Sequence, residues 1–160
     1  MRYWDLRLTR NQAKLLGASQ QYVMVNCHRQ WGKTTMTAMR AMTMPGQQIV
    51  VVSASLRQSM ALANRCREFA HQLHLTLRTE AANQGSIVFP NGSVIRPLPA
   101  HRDRVRGFTA HFLILDEAAA ISDDVYSAAT PMLASNSSAS RRTRSLSFAA
   151  GRRSEPFGVG

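Results

Sequence analysis

Cysteine is nearly missing from this chain. Cys27 and Cys66 are the only two, and their spacing matches neither a disulfide framework nor a metal-ligand pattern. No apolar run approaches the ~20 residues a membrane-spanning helix requires. The opening residues MRYWDLRLTR lack the apolar stretch of a cleaved secretory signal. These absences point to a reducing cytoplasm and to no membrane partner. Lysine is scarce as well: Lys14 and Lys33 are the only two among 20 basic residues, the rest being arginine. Acids number only 9, which leaves a net charge of +11 and suits a polyanionic partner such as nucleic acid. GC-rich coding produces the same arginine bias, so basicity alone assigns no function. With 44% hydrophobic residues in a chain of 160, wholesale disorder is excluded and one domain with a single core is expected.

The hydrophobic pattern alternates strands with helices. YVMVN (22–26) reads as a short buried strand, and KTTMTAMRAMT (33–43) follows as a helix. MPGQQ (44–48) is a turn, and IVVVSAS (49–55) is a β-branched strand ending in small polar residues. Residues 56–74 carry a helical period with Leu56, Met60, Ala63, Cys66, Phe69, Ala70 and Leu73 on one face. Residues 86–89 and 93–98 flank Pro90-Asn91-Gly92, a strong hairpin signal. HFLIL (111–115) is an apolar strand, and DDVYSAATPML (123–133) a capped short helix. Two fully apolar strands among helices predict an α/β domain with a mostly parallel sheet flanked by helices. After Ala134 the chain turns to Ser, Arg and Gly without a sustained period. The folded pattern is therefore expected to span 1–134, with 135–160 a disordered or aberrant tail whose removal leaves stability unchanged.

The most informative stretch is CHRQWGKTT, residues 27–35, between an apolar strand and a helix. A phosphate-binding loop needs glycine-permitted backbone so that N–H groups wrap the phosphates, a lysine for the β- and γ-phosphates, and a hydroxyl for Mg²⁺. Gly32, Lys33 and Thr34 supply these in order, and Cys27, His28, Arg29, Gln30, Trp31 and Thr35 complete the segment. Cys27 stands where a first glycine is usual. The alternative is an ordinary strand–helix turn, in which Trp31 packs rather than stacks on a base.

Such a loop requires a carboxylate at the end of an apolar strand to hold Mg²⁺. HFLILDEAAA (111–120) offers Asp116 for the metal and Glu117 to polarise the attacking water, 83 residues beyond Lys33. The alternative for Asp116 is a helix N-cap before Glu-Ala-Ala-Ala. Together the two motifs predict a P-loop NTPase. Ser53-Ala54-Ser55 at a strand end reads as an ordinary turn, with DNA tracking as the alternative. His71 and His74 have no carboxylate or thiol partner at ligand spacing, so no metal site is expected there.

At these motifs the sequence resembles the large terminase subunits of tailed bacteriophages. Their deviant loop, [C/S/G]-x-R-Q-x-G-K-[ST], is matched by Cys27, Arg29, Gln30, Gly32, Lys33 and Thr34, and their apolar-apolar-x-D-E-A motif by FLILDEAA. Arg106-Gly107 resembles the arginine-glycine pair that precedes the acidic motif, and the hairpin containing Asn-Gly-Ser is also similar. The similarity covers roughly residues 5–134. It implies a RecA-like ATPase that moves double-stranded DNA into a capsid in a bacterial host cell, with ATP and Mg²⁺ as cofactors. The implied partners are DNA, a small terminase subunit, a portal and further copies in a homo-oligomeric ring. Lys33 and Thr34 would bind phosphates and metal, with Asp116 on the metal and Glu117 on water. Arg29 would supply charge to the γ-phosphate in cis, or Arg106 to a neighbouring subunit. Gln12, 21 residues before Lys33, would read adenine; its alternative is an exposed helix glutamine.

The family pattern continues into a coupling motif and a nuclease domain, for which residues 135–160 are expected to carry no equivalent. Glu155 is the only acid after Asp124, too few for a two-metal nuclease. The expectation is an ATPase fold incomplete at its C-terminus, from a truncated or frameshifted gene. A helicase-like ATPase and a non-enzymatic nucleotide- or DNA-binding remnant are the competing readings.

Overall fold

The computed structural model describes residues 8–17, 22–27, 30–43, 45–81, 83–134 and 144–150. Its seven strands form one sheet in the spatial order β1 (Tyr22–Cys27), β7 (Arg144–Ala150), β6 (Phe112–Asp116), β2 (Gln48–Ser53), β5 (Val94–Pro99), β4 (Asn83–Val88) and β3 (Arg78–Glu80). The first five run parallel, while β4 and β3 extend the far edge antiparallel. The α/β class and the mostly parallel sheet are those the alternation predicts. Because the five parallel strands point the same way, Cys27, Ala150, Asp116, Ser53 and Pro99 all end at one edge. Among the described residues no helix is long and apolar enough to cross a membrane.

Helices cover both faces, so the central strands are apolar on both sides. Along β2, Ile49 and Val51 pack against α2 (Lys33–Thr43) and α3 (Leu56–Gln72), with α1 (Arg10–Gly17) beside them through Leu15. Val50 and Val52 face the opposite side, where α4 (Arg102–Val105), α5 (Asp123–Ala129) and α6 (Pro131–Ala134) lie. Strand β6 divides in the same way, Phe112 and Ile114 to the first side and Leu113 and Leu115 to the second. Arg40 is buried in α2, donates from Nη1 to the Leu16 carbonyl at 3.1 Å, and lies 5.0 Å from the Phe112 ring centre. That cation ties α1 to α2 and to the sheet.

The α3 face is rotated from the expected one. Ser59, Leu62, Ala63, Cys66 and Ala70 are buried, whereas Leu56 is exposed. Ser59 is tolerated inside because its hydroxyl bonds back to the Leu56 carbonyl at 3.0 Å. The hairpin turn also reaches beyond the hairpin. Gly92 adopts φ +80°, and the Asn91 amide donates to the carbonyls of Ala41 and Met42, closing the C-terminal end of α2.

Four elements differ from the sequence reading. The folded pattern does not stop at Ala134: Arg144–Ala150 form β7, paired with β1 on one side and β6 on the other. RSLSFAA has no β-branched residue to mark it as a strand, and its identity comes from the two neighbours it pairs with. The rest of 135–160 lies outside the described residues. Strand β3 and helix α4 are short additions without a sequence signal. The pair Glu80–Arg96, with Arg96 Nε 2.8 Å from a Glu80 carboxylate oxygen, anchors β3 to β5, and the guanidinium holds the Glu80 carboxyl below its usual range. The helix expected over 123–133 is interrupted at Thr130–Pro131, because proline cannot donate to the preceding turn and starts α6 instead. Ser122 begins α5, but its side chain makes no capping bond.

Candidate functional site

Strand β1 delivers the loop and α2 receives it. Gln30 and Gly32 take the left-handed region at φ +66° and +96°, and Met36 N–H donates to the Gly32 carbonyl at 3.0 Å as the helix begins. Glycine is required at 32 for two reasons. The backbone angle is one; the other is that a β-carbon there would sit 2.7 Å from the Gln12 Nε2 and displace that amide from the Trp31 carbonyl. Lys33, Thr34 and Thr35 form the first turn of α2, which holds no acid, so the positive dipole end of the helix favours an anion there. Trp31 is half-buried and packs against the core beneath the loop, which agrees with its packing reading. Cys27 ends β1, whereas the side chain of Cys27 and the whole of His28 and Arg29 lie outside what the structure describes.

The structure brings Lys33 and Asp116 together. The Lys33 ammonium lies 2.6 Å from Asp116 Oδ1, a charge-assisted bond across 83 residues of sequence. Their side chains keep 25% and 14% of their surface exposed, so the pair can be reached from solvent. Glu117 follows in the left-handed conformation, φ 54° and ψ 51°. The Asp116 N-cap alternative fails: the short 3-10 turn Ala118–Ala120 is preceded by Glu117, which makes no capping bond.

Two glutamines link helix starts to these motifs. Gln12 sits three residues after Thr9, accepts from the Thr9 N–H at 2.9 Å, and donates from Nε2 to the Trp31 carbonyl at 2.7 Å. It is thus a clamp between α1 and the loop, a role outside both sequence readings. Gln58 is a residue that the sequence reading missed. Ser55 and Gln58 form a reciprocal capping box at the start of α3, and the Gln58 amide nitrogen donates to Glu117 Oε2 at 3.2 Å. The Ser-x-x-Gln pattern signals the cap, but nothing local signals the contact 59 residues away.

Cys66 on α3 completes the support of the loop helix, its thiol contacting the Thr34 carbonyl at 3.5 Å. Burial pushes the pKa of that thiol up to about 12. Arg106 stands apart. It is exposed, makes no ion pair or hydrogen bond among the described residues, and lines an open cleft of about 1170 Å³ with Arg96, Arg104 and Phe108. No described residue of the loop lines that cleft. Among the described residues no group of three or more His, Cys, Asp or Glu side chains is placed to hold a metal.

A family model described as "Terminase large subunit, T4likevirus-type, N-terminal" matches residues 27–148. No curated protein sequence matches the chain. Among solved structures, the large terminase ATPase domain of Thermus phage P74-26 superposes with a TM-score of 0.71 at 22% identity, over 97% of this chain and 72% of that one. The HK97 bacteriophage large terminase gives 0.71 at 17% identity, over 91% of this chain and 34% of that one. The large terminase of a thermophilic bacteriophage, solved in complex with ATP-gamma-S, gives 0.65 at 13% identity, over 89% and 38%. This chain therefore spans between a third and two fifths of those last two proteins.

Proposed function

The chain belongs to the terminase large subunit family, and from that membership we propose that its site binds Mg-ATP and hydrolyses it to drive movement of double-stranded DNA. The observation that carries the reading is the 2.6 Å pair of Lys33 and Asp116, which sets a loop cation and a strand-end carboxylate at the N-terminal turn of α2. A triphosphate entering there meets the ammonium, the positive end of α2 and the Thr34 hydroxyl together. The donor set suits Mg²⁺, which prefers one or two carboxylates plus substrate phosphates to an all-protein cage. Asp116 and Thr34 would hold it, and when bound it would neutralise charge on the phosphate oxygens.

Lys33 binds the β- and γ-phosphates, and the segment Cys27–Thr35 wraps them. Gln12 fixes the loop through Trp31, and its remaining amide hydrogen stays available to an adenine edge. Glu117 takes a proton toward itself from the attacking water, held in place by Gln58. Arginine charge at the γ-phosphate comes from Arg29 in cis or from Arg106 of a neighbouring copy in a ring. The exposure of Arg106, away from the loop of its own chain, favours the second. The wider assembly contains DNA, a small terminase subunit and a portal, in the host cytoplasm.

Replacing Glu117 by Gln keeps the shape of the side chain and removes its basicity. The variant should bind Mg-ATP as the unaltered chain does and release no phosphate, with or without DNA. Undiminished phosphate release from Glu117→Gln would contradict the assignment.

A further inference from the structure

Ser53 closes β2 at the same edge as Asp116. It is only 1% exposed, and its Oγ has no hydrogen-bond partner in the protein. Buried hydroxyls in folded proteins nearly always have a partner, so an orphan calls for a water, an ion or a ligand. Its place in the sheet narrows the choice. Strands β2 and β6 run parallel with Val52 opposite Leu115, so the next residues, Ser53 and Asp116, stand side by side on strands about 4.8 Å apart. Alternation puts Ser53 on the side of Ile49 and Val51, which is the side of α2 and α3. Asp116 follows Phe112 and Ile114 to that side, where it meets Lys33.

Several polar side chains of the neighbouring elements have partners of their own. Ser55 and Gln58 cap α3, the Gln58 nitrogen holds Glu117, the Cys66 thiol meets Thr34, and Ser59 bonds back to Leu56. We propose that the Ser53 hydroxyl belongs to the Mg-nucleotide site, hydrogen-bonding a water of the metal's hydration shell beside Asp116 and Thr34. Mg²⁺ sheds its waters reluctantly, so groups that receive those waters contribute to its binding. This inference rests on the reading that the site binds Mg-ATP.

The test uses the full 160-residue chain and two variants, Ser53→Ala and Ser53→Cys, with ATP affinity measured by calorimetry in Mg²⁺ and in EDTA and the melting temperature measured without ligand. Removing an orphan hydroxyl should leave the ligand-free melting temperature equal or higher. Affinity in EDTA should stay within about twofold, and the gain conferred by Mg²⁺ should shrink about five- to tenfold in both variants. An undiminished Mg²⁺ gain in both variants would overturn the inference while leaving the nucleotide reading intact. A lowered ligand-free melting temperature with that gain intact would overturn it too, assigning the hydroxyl to a structural water. No ATP affinity in the unaltered chain, in either buffer, would overturn the nucleotide reading and this inference together.

Discussion

Gln12 and Gln58 each follow a hydroxyl residue by three positions, and each turns its amide oxygen back to that residue's N–H. The amide nitrogen is left to reach the site, Gln12 to the loop carbonyl of Trp31 and Gln58 to the Glu117 carboxylate. A glutamate at the same helix position keeps the cap but has no donor for Glu117. Gln58→Glu should therefore leave the melting temperature within about 2 °C and lower kcat about tenfold or more, the loss expected from one charge-assisted bond. Unchanged kcat with an unchanged melting temperature would remove Gln58 from the mechanism. At this scale Gly32, Lys33, Asp116 and Glu117 were legible because loop chemistry demands those residue types in that order. Gln58 was not, and Gln12 was named without its contact to Trp31, since each contact joins residues remote in sequence. Ser53 was legible only as a strand end, because its missing partner is a property of the packed interior.

The element that decides the architecture is β7. It stands between the strand carrying the loop and the strand carrying the acids, so Tyr22–Cys27 and Phe112–Asp116 are each paired to it rather than to one another. The distance across two strand spacings, about 10 Å, is what lets Lys33 lean from α2 onto Asp116. Leu146 pairs with Val23 on one side and Ile114 on the other. Leu146→Pro removes a ladder donor in the middle of the sheet and leaves its acceptor unpaired, at a cost of up to about 3 kcal/mol. The melting temperature should fall by about 6–12 °C for a chain of this size. Deleting 135–160 should destabilise at least as much, the reverse of what a disordered tail requires; an unchanged melting temperature for both variants would contradict the sheet order. Strands of Val, Ile, Leu and Phe were readable from composition, and so was the Asn-Gly hairpin. Arg144–Ala150 was not, because small and polar residues there follow the pairing rather than dictate it.

For the molecule as a whole, the five parallel strands bring the loop, Asp116 and Ser53 to one edge, while Arg106 faces an open cleft lined by none of the described loop residues. A site completed by a neighbour's arginine makes a distinct prediction. Mixing Arg106→Ala chains with Glu117→Gln chains, each inactive alone, should restore part of the ATP hydrolysis, because some sites then combine an intact Glu117 with an intact Arg106. No recovery on mixing would assign the arginine to the same chain. The family match over residues 27–148 includes most of β7, so the fold shared with that family extends past the point where the sequence pattern faded.

The proposed nucleotide site centres on the pair of Lys33 and Asp116. Titrating Mg-ATP into the full chain and into Lys33→Ala, with melting temperatures recorded for both, tests it directly. Saturable one-site binding should weaken about a hundredfold or more in the variant, since the lysine makes charge-assisted bonds to the phosphates. Equal affinity in two folded chains would contradict the account.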